Sequence, residues 1–123
     1  MLQVQFKKII SIREHFSVFA EQLSYMKRLV AKKTLVEFWK KHGDSEQYLK
    51  TWYETAKKSN WKSPNDIKRT FIHASVLKNN RVVFTIKGNS YRLIVKFNYE
   101  RQWAFIRFIG THAAYDNSNA QEI

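Results

Sequence analysis

Two hydrophobic periods divide the chain. Leu35, Phe38, Trp39 and His42 recur at i, i+3, i+4 and i+7, and Leu49, Trp52, Tyr53 and Ala56 repeat the spacing, so each set lines one face of a helix. Thr34 with Glu37 three residues later has the pattern of a capping box opening the first helix. Gly43 ends it, Asp44 is placed to cap the second, and the pair forms a helical hairpin. Ser63 before Pro64 supplies a cap and a first-turn proline for a short third helix through Arg69. After about residue 74 the period becomes two: Val82, Phe84 and Ile86 on one face, Val83 and Thr85 on the other. Gly88 and Asn89 read as a two-residue turn, and the returning strand alternates Tyr91, Leu93, Val95 and Phe97 against Arg92, Ile94 and Lys96. A third strand runs from about 102 to 109, and an apolar stretch at 27–31 reads as a further short strand. An apolar sheet face needs a cover, and the amphipathic helices provide it. The expected class is α+β: an antiparallel sheet of three to five strands covered on one face by N-terminal helices.

Composition narrows the possibilities. A chain of 123 residues accommodates one compact domain. Hydrophobic residues at 44% and aromatics at 15% suffice for a core. Residues 1–25 read as an N-terminal extension, with Ile10, Ile12, Phe16, Phe19, Ala20 and Leu23 at partly helical spacing. The domain proper is expected over residues 26–118, with 119–123 as a tail. The absence of cysteine removes disulfides, thiol nucleophiles and thiolate metal sites. No apolar run approaches the roughly 20 residues that span a bilayer, and Arg13, Glu14 and His15 interrupt the N-terminal stretch before a secretory signal forms. The location expected from this is the cytoplasm. Twenty-two Lys and Arg against ten Asp and Glu leave a net charge of +12, an excess that suits a polyanionic partner, nucleic acid before all.

The basic residues are spread rather than clustered, including Lys57, Lys62 and Lys68 in the helical half and Arg81, Arg92 and Arg107 on strands. A solvated surface accounts for most single lysines. The scarcity of acids is better explained by phosphate contact and counterion release. Arg92 and Arg107, flanked by Tyr91 and Leu93 or by Ile106 and Phe108, must reach an open sheet face. There each is either an ordinary exposed strand residue or a planar fork for a phosphate oxygen that stabilises a pentacovalent phosphorane. Thr111-His112-Ala113-Ala114-Tyr115-Asp116 follows the last strong strand and emerges at the sheet's edge. An imidazole exchanges a proton near neutral pH and a phenol can donate to phosphate, although a histidine in a C-terminal turn is more often structural or solvated. The histidines at 15, 42, 73 and 112 are scattered and no carboxylate pair stands at ligand spacing, so metal-ion catalysis fits poorly and no metal site is expected; His42 and His73 read as surface or core-edge residues.

The stretch from Asn80 to Leu93, containing Gly88-Asn89-Ser90-Tyr91-Arg92, and that from Phe105 to Asp116, containing Thr111-His112 and Tyr115-Asp116, together resemble the HigB family of bacterial toxins. Trp61-Lys62-Ser63-Pro64-Asn65-Asp66-Ile67-Lys68 and Lys32-Lys33-Thr34-Leu35 are similar to the same family, and the resemblance covers roughly residues 26–118. It implies a RelE-like fold and an endoribonuclease that cuts mRNA, commonly on the ribosome, and so inhibits translation and growth. It also implies a helix-turn-helix antitoxin of the HigA type, with operator DNA engaged only through the toxin-antitoxin complex and no membrane partner. By position, the resemblance makes His112 the general acid or base, Tyr115 a phosphate donor or acid, Asp116 an orienting carboxylate and Arg92 the phosphorane clamp, with no cofactor. Arg81, Asn89 and Arg107 become supporting RNA contacts. Residues 1–25 have no counterpart in that family. The competing reading is a non-catalytic basic RNA-binding or ribosome-associated module in which the same strands grip a backbone. A DNA-binding regulator fits less well, because Trp39, Trp52 and Tyr53 sit on the apolar faces of the helical hairpin.

Overall fold

The computed structural model describes residues 26–123; the proposed helical extension lies outside the described residues. A short strand β1 (Arg28–Val30) runs into α1 (Lys32–Lys41). A single 3-10 turn (Gly43–Ser45) leads to α2 (Glu46–Lys57), followed by α3 (Pro64–Thr70). Strands β2 (Ser75–Val76), β3 (Arg81–Ile86), β4 (Tyr91–Asn98) and β5 (Trp103–Thr111) follow, and the short helix α4 (His112–Asp116) grows directly from the end of β5. The sheet order is β1-β5-β4-β3-β2. Four strands are antiparallel neighbours, and β1 joins β5 in parallel. The sheet is therefore mixed, a departure from the antiparallel expectation that arises because the chain crosses from β1 through α1, α2 and α3 before the other strands are laid down.

Alternation decides what is buried. Val82, Phe84 and Ile86 of β3 and Leu93, Val95 and Phe97 of β4 point to the helices, where they meet Leu35, Leu49, Trp52, Ala56 and Ile67. Phe84 is the aromatic hub, with edge-on contacts to Trp52 at 5.2 Å, Phe71 at 5.2 Å and Phe97 at 6.3 Å between ring centroids. Trp61 closes the ring of aromatics against Phe71 and Phe97.

Four local expectations are corrected. α1 begins at Lys32 and its cap position, Ala31, has no side-chain bond. The strand-to-helix junction leaves the Ala31 carbonyl to accept the Thr34 N–H, so Thr34 lies inside the first turn and forms no capping box. Asp44 does not cap α2 either, because its carboxylate accepts from Lys87 Nζ at 2.7 Å and Tyr91 Oη at 2.6 Å. The β3-β4 connection is four residues, 87–90, since Ile86 pairs with Tyr91; Lys87 and Gly88 both take positive φ, at 53° and 61°, and Ser90 N–H donates to the Lys87 carbonyl. The third long strand runs two residues past the expected end, to Thr111.

The core predicts a large penalty for truncating its hub. Phe84→Ala should destabilise the domain by about 3–5 kcal/mol, read from the urea midpoint at unchanged m-value. A loss below about 1 kcal/mol would mean that the aromatic ring around Phe84 does not hold the helices to the sheet.

Candidate active site

The second face of the sheet carries the alternate residues. Thr85, Arg92 and Gly110 form one cross-strand row, and Val83, Ile94 and Phe108 the next. Between Ile94 and Val95 the β4-β5 register shifts, so Arg107 is the extra, bulged residue of β5. Gly110 beside Arg92 leaves space for the Phe108 ring, whose Cζ would lie 2.5 Å from any Cβ placed there.

Arg92 stands on the central strand, one residue into β4. Its guanidinium donates to the Asn89 carbonyl at 3.1 Å and lies 5.7 Å from the centre of the Tyr115 ring, a cation-π distance. Thr111 caps α4 by accepting the Ala114 N–H on its hydroxyl, and the His112 N–H donates to the Ser90 carbonyl. These two bonds set the helix against the β3-β4 turn. One turn along α4, Asp116 Oδ2 is 2.9 Å from His112 Nδ1. An ionised carboxylate only accepts, so Nδ1 carries the proton and Nε2 is left as the nitrogen that takes up or releases one. Both side chains are about half exposed, at 49% and 57%. Arg92, His112, Tyr115 and Asp116 thus come together at one end of the second face with Asn89 at the adjoining turn.

The remaining sequence candidates stand elsewhere. Arg81 is 7% exposed, donates to the Asn79 carbonyl at 3.0 Å and is enclosed on the second face, which removes it from a solvent-borne RNA. Arg107 is exposed, but its Nε donates to the Ile123 carbonyl at 3.0 Å, so it fastens the C-terminal segment. Lys68 Nζ donates to the carbonyls of Ala74 at 2.8 Å and Ile72 at 3.4 Å, and its role is to close the loop after α3. Lys57 and Lys62 are exposed at the opposite end of the sheet, where Gln102 Nε2 donates to the Trp61 carbonyl at 2.6 Å. His73, read from the sequence only as a surface or core-edge residue, is exposed and with Thr85, Gly88 and Asn89 lines a depression of about 400 Å³ beside the Arg92 row. No periodic signal could place it there, because it lies in a loop. Among the described residues no group of three or more His, Asp or Glu stands where it could hold a metal ion, and no helix is long and apolar enough to cross a membrane.

The fold and this site define a small α+β domain that presents an arginine, a carboxylate-oriented histidine and a tyrosine on the open end of a basic sheet. The chain matches the HigB toxin family, the RelE-like toxic component of a toxin-antitoxin system, over residues 45–118. That span is more than half of its length, and the protein belongs to that family. Its role is therefore that of a toxin, and its partner is an antitoxin. None of the curated proteins compared with the chain matches it.

The β3-β4 turn that carries Asn89 is tethered through Asp44. The Lys87 ammonium, then the Tyr91 hydroxyl, hold the Asp44 carboxyl below its ordinary 3.8. The same bonds raise Lys87 above 10.5 and Tyr91 above 10.0. A lowered acid contributes stability that is present above 3.8 and lost as pH falls through its folded value, while the two raised groups contribute below 10.0 and lose it as pH rises through theirs. The melting-temperature deficit of Asp44→Asn should accordingly be constant between 3.8 and 10.0 and shrink on either side. A deficit that changes across neutral pH would show that the tether involves another titrating group.

Proposed function

We propose that the toxin is an endoribonuclease that cleaves mRNA during translation, on the ribosome, in the cytoplasm, and thereby arrests translation and growth. The convergence of Arg92, His112, Tyr115 and Asp116 at one end of the sheet carries this reading: Arg92 and Tyr115 in contact at 5.7 Å, His112 and Asp116 at 2.9 Å. In the reaction the ribose 2′-oxygen attacks phosphorus as its proton passes to a base. The bond from phosphorus to the 5′-oxygen breaks as that oxygen gains a proton, leaving a 2′,3′-cyclic phosphate and a 5′-hydroxyl. His112 Nε2 serves one of the two proton transfers, Asp116 holds its ring, and Tyr115 donates to a phosphate oxygen or protonates the leaving group. Arg92 forks two N–H groups toward the phosphorane, where charge increases most. Asn89, at the turn, is a supporting RNA contact. The chain's own side chains supply each of these parts. The partner is a helix-turn-helix antitoxin of the HigA type, through which alone the complex engages operator DNA. The domain responsible is taken as residues 26–118, with 1–25 as an extension and 119–123 as a tail.

Induced expression should arrest bacterial growth and produce new mRNA 5′ ends by primer extension. Arg92→Ala should reduce cleavage by about 10²- to 10³-fold and His112→Ala by about 10²- to 10⁴-fold, with melting temperatures close to wild type. Arg92→Lys should rescue only in part, since a point charge replaces a planar fork. Substitution of the exposed Lys57 or Lys62 should lower binding modestly and flatten its salt dependence. Arg92 and His112 variants that cleave like wild type while the lysine variants do not would establish the non-catalytic RNA-binding module instead.

A further inference from the structure

The opposite end of the second face is built differently. Trp103 and Phe105 lie on β5 in register with Asn98 and Lys96 of β4, and their rings meet edge-on with centroids 6.2 Å apart. Arg28, paired with Trp103 across β1-β5, places its guanidinium 5.5 Å from the Trp103 ring and 6.0 Å from the Phe105 ring. Arg101, from the β4-β5 turn, comes within 5.0 Å of the same Trp103 ring. These aromatics form part of the wall of an open depression of about 640 Å³, shared with Asn80, Lys96, Asn98 and Arg107. Glu100 is the one carboxylate on its rim. Among the described residues neither Arg28, Lys96 nor Arg101 makes an ion pair, while Arg107 donates to the Ile123 oxygen.

We infer that this depression is a second single-stranded RNA subsite, in which a base stacks on the Trp103-Phe105 platform and its guanidinium neighbours while Lys96 and Arg101 hold the adjoining phosphates. The physical ground is the pairing of two features that only a nucleotide satisfies together. Flat π-surfaces and guanidinium planes stack on any base, and the unpaired cations beside them favour phosphate through counterion release. A protein segment that met the cations with carboxylates would leave the stacked ring faces without a planar partner. The inference rests on RNA as the substrate. It places a contact remote from the reacting phosphate: six residues of β4 separate Arg92 from Asn98, the cross-strand neighbour of Trp103, which is about 20 Å along a strand. A strand stacked at about 3.4 Å per nucleotide needs about six nucleotides to cover that distance. The platform therefore tethers the transcript on one side of the cut and leaves the chemistry to the other end.

The test is fluorescence anisotropy of the full-length protein with fluorescein-labelled 2′-O-methyl oligonucleotides, a 12-mer and a trinucleotide, which bind without being cut. Trp103→Ala should weaken the 12-mer by about 5- to 150-fold, the range for losing one stacked base, and leave the trinucleotide unchanged. Trp103→Phe should restore most of the affinity, and Arg101→Ala, an exposed turn substitution, should weaken the 12-mer and reduce its salt slope by about one. With mRNA on translating ribosomes as substrate, Trp103→Ala should raise KM with kcat preserved. Unchanged 12-mer affinity in both Trp103→Ala and Arg101→Ala would overturn the proposal, as would a Trp103→Phe variant as weak as Trp103→Ala. So would RNA binding left intact while both variants lose binding to a polyglutamate peptide. Failure of the ribonuclease reading is visible separately, as intact transcripts after induced expression of a wild type that still binds the 12-mer through Trp103.

Discussion

The register of β4 is the constraint on which the remaining architecture depends. It is paired with β3 from Tyr91 to Lys96 on one side and with β5 over its whole length on the other, and its even and odd residues have opposite duties. Leu93, Val95 and Phe97 enter the core under α1 and α2. Arg92 and Lys96 emerge on the second face. A slip of one residue would drive two cations into the aromatic cluster around Phe84, so burial itself enforces the position of Arg92. The bulge at Arg107 then lets β5 keep Ile106 in the core while presenting Phe108 and Gly110 on the face where Arg92 stands.

That face is unevenly enclosed. Val83 and Ile94 are 3% and 0% exposed although they point away from the helices. α4 and the residues after it return over this side, fastened by Asn79 Nδ2 on the Gln121 carbonyl and Arg107 Nε on the Ile123 carbonyl. The enclosed centre separates the histidine and tyrosine at one end from the tryptophan platform at the other. One sheet face therefore offers two polar ends with an apolar middle, a layout suited to an extended ligand rather than a small compact one.

The charge excess is organised by the same layering. The ion pairs Lys33-Glu37, Lys50-Glu46 and Arg69-Asp66 are local pairs on the helices, where exposed pairs contribute little to stability. They engage Glu37, Glu46 and Asp66 on the helical layer, and among the described residues Arg92, Lys96 and Arg101 make no ion pair. Of the cations behind the net +12, Arg92 and Lys96 stand without ion pairs on the sheet's second face, with Arg101 beside them at the β4-β5 turn.

The helical hairpin, the three long strands and their inward residues were legible because burial against a neighbouring layer writes a period of 3.6 or 2 directly into the order of residues. The family resemblance was legible for a related reason: Gly88-Asn89 with Tyr91-Arg92, and Thr111-His112 with Tyr115-Asp116, are local strings. Contacts between segments distant in sequence have no such signature. That Asp44 holds Lys87 and Tyr91 instead of capping a helix, and that Lys68 and Arg107 spend donors on backbone carbonyls, depended on the packed fold. So did the enclosure of Arg81 beneath the second face and the meeting of Arg28 with Trp103 across the parallel β1-β5 pair. The sequence by itself determined which apolar residues line the helix-sheet core and which types of chemistry are present; only the tertiary structure decided which cations are free to act, because a donor's partner is set by through-space distance and not by its position along the chain.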